Sequence, residues 1–169
     1  MQDPIVNRVA ASGLLTFNLE HHYPEGERVV LDIADGLFKG LVLKEKDFRS
    51  WVKDLNVEQF RNCHVAVCCS SDAIVPTWAY MLVTSHLSEI ASTVVFGDLQ
   101  TLETVLWEQA LSRLDLSPYQ AQKMVIKGCG DLDVGPAAYT AITRLLRPVA
   151  SSIMYGEPCS TVPVFKKKS

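Results

Sequence analysis

The chain has 169 residues, 48% of them hydrophobic, with a formal net charge of −3 and a pI near 5.8. That length and apolar fraction suffice for one sizeable core, so a single α/β domain over residues 1–169 is predicted. The mild acidity supplies no basic field for nucleic acid or an anionic membrane surface, which leaves a small molecule or a protein as the expected partner and self-association open.

The opening Met1-Gln2-Asp3-Pro4 lacks the basic-then-apolar pattern of an export signal, and no run approaches about 18 apolar residues, so a cytoplasmic location is predicted. Five irregularly spaced cysteines do not make a disulfide framework; they fit a reducing compartment, with thiols free or metal-bound. The tail Lys166-Lys167-Lys168-Ser169 reads as a solvated end.

In chain order, Ile5 to Ala11 predicts a short helix and the alternating Leu15-Thr16-Phe17-Asn18-Leu19 a strand. Val29 to Ile33 and Leu37 to Leu43, separated by Asp35-Gly36, predict a hairpin, making the N-terminal third an antiparallel meander. Lys44 to Leu55 sets Phe48, Trp51, Val52 and Leu55 at helical spacing. Three strand-then-helix units follow. The apolar run 64–69 precedes a helix from Thr77 to Ile90. Residues 93–97 precede a helix carrying Leu102, Val105, Leu106, Ala110 and Leu114. Residues 124–128 precede one carrying Ala138, Ile142, Leu145 and Val149, which Pro148 kinks or ends. Together these predict a mixed sheet: the N-terminal meander followed by parallel strands at 65–69, 93–97 and 124–128, with helices packed on it. Residues 156–169 form a C-terminal arm in which Pro163 permits only an edge strand or an extended segment, expected to fold over the strand ends.

Aligning Cys69 to Tyr80 with Cys129 to Tyr139 gives a weak repeat: Cys, Asp, Val, Pro, then Ala-Tyr, at the cost of a one-residue gap. Each cysteine then closes a strand and precedes a helix N-terminus, where ligands of open α/β sheets bind and thiol pKa values fall. If the arm folds back, Cys69, Cys129 and Cys159 supply three thiolates to zinc or another thiophilic metal, with an open fourth position suited to hydrolysis. Asp72, Asp98, Asp131 and Glu157 are the neighbouring polar groups, although the aspartates serve equally as helix caps. The spacing between the cysteines matches no compact zinc motif. Two other outcomes stay open: a non-enzymatic binding or assembly module whose cysteines are buried hydrophobes, and a metal-free cysteine nucleophile needing a base. Cys68 reads as core, opposite in phase to Cys69. His64 reads as a strand-start residue, His21-His22 as a solvated loop and His86 as a cation near a helix C-terminus. Glycine-rich phosphate loops, G-x-S-x-G and H-E-x-x-H are absent from the sequence.

The strings Ser70 to Met81, Val125 to Cys129 and Ser152 to Pro163, with Ile5 to Ala10 and Tyr23 to Arg28, resemble those of an uncharacterised bacterial family, domain of unknown function 2480. The resemblance spans nearly the whole chain. It implies a small bacterial cytosolic protein and transfers no catalytic residue.

Overall fold

The computed structural model describes residues 13–128 and 130–168, so the helix expected at Ile5 to Ala11 lies outside the described residues. The chain divides into two compact units. An inserted unit comprises Glu25–Leu106, and an enclosing unit comprises the described residues up to Pro24 and from Trp107 onward.

In the inserted unit, β2 (Arg28–Asp32), β3 (His64–Cys68) and β4 (Thr93–Phe96) form a parallel three-stranded sheet in that order. The crossovers are α1 (Glu45–Asp54) and α2 (Thr77–Leu87). The enclosing unit has a four-stranded sheet in the order β1-β5-β6-β7, from β1 (Leu14–Asn18), β5 (Lys123–Lys127), β6 (Ser152–Glu157) and β7 (Ser160–Lys166). The first three of these strands are parallel, and β7 returns antiparallel on β6. Helix α3 (Leu99–Ser112) runs from one unit into the other, and α4 (Pro136–Leu146) joins β5 to β6.

The mixed α/β class holds, but the antiparallel element is the C-terminal hairpin rather than an N-terminal meander. β1 pairs with β5, and β2 pairs with β3, both parallel. The expected second hairpin strand at residues 37–43 is a tight loop closed by a single Phe38–Val42 bridge, with Lys39 and Gly40 at φ of 52° and 69°. Asp32 explains why the hairpin does not form. Its carboxylate accepts from Ala34 N–H at 2.9 Å, which winds residues 33–36 into a 3-10 turn and sends the chain into the α1 crossover. The three strands expected in one sheet are also divided: β3 and β4 lie in the inserted unit and β5 in the enclosing one. Each is a short apolar strand followed by a helix, and that local signal carries no information about which strand lies beside it. The C-terminal arm does not fold over strand ends; it is the edge strand β7, the position Pro163 allows.

The two units share one plan, residue by residue. A shift of fifty-nine positions carries α2 onto α4, turning the buried Ala79, Val83 and Leu87 into the buried Ala138, Ile142 and Leu146. The same shift carries Phe48 and Val52 to Trp107 and Leu111, and Val65 and Val67 to Met124 and Ile126. It also matches irregular backbone. Asn62 and Ala121 have φ of 60° and 59°, and their amides reach Ile90 O and Val149 O at 3.0 and 2.8 Å. Gly97 and Gly156 have φ of 136° and 117°. On the first strands, Phe17 and Leu19 occupy the places of Leu31 and Ile33, each pair buried in its own unit's core. At about 1.5–3 kcal/mol per large buried side chain, these matched clusters are the main stabilising term of each unit.

Candidate functional site

At the carboxyl end of the inserted sheet, Asp32 lies in register with Cys68. The Asp32 carboxylate also accepts from Ser70 N–H at 3.0 Å. Burial alone pushes its pKa up, but hydrogen bonds from the Ser70 side chain and from the Ala34 and Ser70 amides outweigh that and hold it low. The Cys68 thiol is pushed up, first by burial and then by Asp32, Cys69 and Asp98. Cys68 is therefore a half-buried member of a polar cluster, not the core residue its phase suggested. Tyr80 is raised by burial, then by Cys69, Cys68 and Asp32. Cys69 is half-buried against the inserted core, its sulfur 3.5 Å from Ser71 Oγ. Asp98 is a cap: it accepts from Thr101 N–H and Oγ1–H at 2.8 and 2.7 Å, and these bonds lower its pKa. Asp72 is exposed beside the loop at Leu41 to Leu43 and does not cap α2.

In the enclosing unit the carboxyl ends of β5 and β6 lie side by side, held by the Lys127–Glu157 ion pair at 3.2 Å. Glu20, just past β1, accepts from Gly130 N–H at 2.6 Å. A polar cavity of about 470 Å³ opens here, walled by Gly128, Gly130, Asp131, Asp133, Tyr139 and Tyr155. Two contacts explain the glycines. A Cβ at Gly128 would come within 2.9 Å of Tyr139 Oη, and one at Gly130 would meet the Glu20 carboxylate at 2.5 Å. Asp131 and Asp133 are exposed, and no side chain caps α4. Cys159 is exposed in the turn between β6 and β7. Cys129 lies outside the described residues.

The thiolate triad thus draws Cys69 from one unit and Cys159 from the other. Among the described residues, no group of three or more histidine, cysteine, aspartate or glutamate side chains is arranged to hold a metal. The repeat takes a different register. The shift of fifty-nine needs no gap; it pairs Cys69 with Gly128 and Ser70 with Cys129, so the two cysteines do not occupy matching positions. Two of the histidines are packed: His64 is buried with Nε2 2.7 Å from Glu25 O, and His22 stacks on Phe17 at 4.7 Å, its pKa lowered by burial and then by His21.

Each unit also has an apolar cleft between its last crossover helix and its last parallel strand. In the enclosing unit it measures about 800 Å³, lined by Tyr139, Thr140, Thr143 and Tyr155, with Met154 and Val164 extending it. In the inserted unit it measures about 690 Å³, and Tyr80, Met81, Thr84 and Phe96 stand at the corresponding places. The aromatic pairs correspond as well: Tyr139–Tyr155 with centroids 5.5 Å apart and Tyr80–Phe96 at 4.8 Å, both edge-on. Sequence reasoning missed Asp32, Glu20, Phe96 and Tyr155. The ungapped shift, once applied to Tyr80 and Phe96, finds Tyr139 and Tyr155.

No helix among the described residues is long and apolar enough to cross a membrane. No curated protein and no solved structure matches the chain. Residues 3–167 match the model of the family described as protein of unknown function (DUF2480), and the chain belongs to that family.

Proposed function

We propose that the chain carries a thiolate metal site of the zinc type at the carboxyl ends of β5 and β6, with Cys129 and Cys159 as sulfur donors and Glu20, Asp131 or Glu157 as oxygen donors. The supporting observation is the Lys127–Glu157 contact. It fixes two strand ends side by side, and each cysteine follows its strand-end residue by two positions. Two thiolates with one carboxylate make a donor set that suits a borderline-soft, four-coordinate ion, and a fourth position left to water would permit hydrolytic chemistry. Cys69, on the other unit, is not needed in this arrangement. The test is bound zinc and iron by mass spectrometry in protein purified without chelator. Wild type and Cys68→Ser should hold metal, and Cys129→Ser and Cys159→Ser should lose it. A metal-free wild type would sink the proposal.

A non-enzymatic binding module is the second reading, and the enclosing unit's cleft favours it. Its volume falls in the range of small-molecule sites, and it shares Tyr139 and Tyr155 with the polar cavity, so an amphipathic ligand would find apolar and polar walls together. A Tyr139→Ala protein that binds an environment-sensitive apolar dye as well as wild type does would count against it.

A further inference from the structure

The two units end their sheets differently. In the enclosing unit, the outer edge of β6 is covered by the antiparallel β7. That strand itself makes a poor template, because it carries Pro163 and runs into Lys166, Lys167 and Lys168. Proline and lysine are the ordinary means of keeping an exposed edge from pairing. In the inserted unit the equivalent strand is β4, and among the described residues no strand lies on its outer side. Its sequence, Thr93-Val94-Val95-Phe96, has no proline, no charge and high strand propensity. Beside it runs the inserted unit's cleft, whose lining residues are all uncharged. Phe96 and Met81 on its margin are 68% and 67% exposed.

We infer that the β4 edge is a self-association surface, on which β4 of a second copy pairs antiparallel about a twofold axis. The internal repeat identifies the geometry, since the corresponding edge accepts an antiparallel strand within the same chain. Identity of the two partners follows from the chemistry. An uncharged strand and an uncharged cleft are complementary to themselves: a twofold axis brings no like charges together, and the Phe96 ring of each copy is an apolar side chain available to the other's cleft. Among the described residues no strand pairs with the outward backbone groups of β4, and a second copy of β4 would supply them with partners. With four-residue strands and one helix face per side, the buried area lies at the small end of stable interfaces, about 1,200 Å², so dissociation in the micromolar range is expected.

The experiment is sedimentation velocity on the full chain from about 1 to 300 µM, with amide hydrogen exchange as a second measurement. Wild type should pass from monomer to dimer, and the amides of Thr93 to Phe96 should exchange more slowly in the dimer. Phe96→Glu and Met81→Glu should each weaken the dimer at least about tenfold while leaving the circular dichroism spectrum unchanged. Val164→Glu, a control on β7, should dimerise normally. A monomer at the highest concentration overturns the inference, as does a dimer indifferent to both glutamates or one in which β4 amides gain no protection. A monomer whose β4 amides are protected by a synthetic Ser160–Lys166 peptide overturns it too, and assigns the edge to a strand from another protein.

Discussion

Asp32→Ala tests the capping account of how β2 leaves its sheet. The Asp32 carboxylate accepts from Ala34 N–H at 2.9 Å and from Ser70 N–H at 3.0 Å, tying the turn after β2 to the loop after β3. Losing a cap of this kind costs about 1 kcal/mol, and the second bond adds about as much, for a loss of about 2 kcal/mol. In a chain of this size that lowers the melting temperature by about 4–8 °C. Asp32→Asn keeps an acceptor oxygen, as Asn18 does at the equivalent place on β1, where it accepts from Glu20 N–H at 3.2 Å. It should lose less than half as much. The pH dependence has a definite sign. The folded-state pKa of Asp32 is depressed, so its contribution is fully present above the unfolded carboxylate's pKa and fades as pH falls through the depressed value. Urea denaturation at pH 7 and near pH 3 measures both effects. An alanine variant within about 0.5 kcal/mol of wild type at pH 7, or a difference unchanged at low pH, would refute the account.

Gly156→Ala should destabilise by more than about 2 kcal/mol, because φ is 117° and the new Cβ would sit 2.6 Å from the backbone oxygen of Ser160. Gly97→Ala, also strained at φ 136°, has a side chain, that of Thr101, as its nearest neighbour rather than backbone and should cost less, and thermal melts of the two rank them. Phe48→Ala and Trp107→Ala, at matched places in the two cores, should each cost about 3–5 kcal/mol by urea denaturation, and a loss under about 1 kcal/mol at either would break the equivalence. Iodoacetamide at pH 7.5 should label the exposed Cys159 well before Cys63, which is 5% exposed and whose thiol is pushed up by burial and then by Glu27. Labelling in the reverse order, read by peptide mass spectrometry, would contradict the burial of Cys63.

Strand-then-helix units were legible because buried parallel strands are short apolar runs, as in His64 to Cys68 and Lys123 to Lys127. Their partners were not legible. β1 pairs with β5 across the whole inserted unit, and nothing in Leu14 to Asn18 marks so distant a neighbour. The hairpin expected at Asp35-Gly36 failed because the same residues suit a 3-10 turn once Asp32 caps it. The repeat was visible in Ala79-Tyr80 and Ala138-Tyr139, but matching the cysteines required a gap. Pro76 precedes α2 whereas Pro136 is the first residue of α4, and proline suits both places, so its one-residue offset is harmless to the fold. Aligning on proline and cysteine misplaced the loop by one residue.

With one plan used twice, function should reside where the copies differ, and the loop after the central strand is such a place. The inserted unit fills it with Cys69 and Ser71, which contact each other; the enclosing unit has Gly128 and Gly130 there, and a polar cavity results. Those glycines make room for the Tyr139 hydroxyl and the Glu20 carboxylate. Gly130→Ala therefore separates site from fold. Its Cβ would displace the end of a flexible glutamate, which costs little stability, yet it would move an oxygen donor of the proposed metal site. The expected result is metal affinity lower by about tenfold or more with a melting temperature close to wild type. Unchanged metal binding in Gly130→Ala would remove Glu20 and its loop from the site; a large fall in melting temperature would make the glycine structural instead.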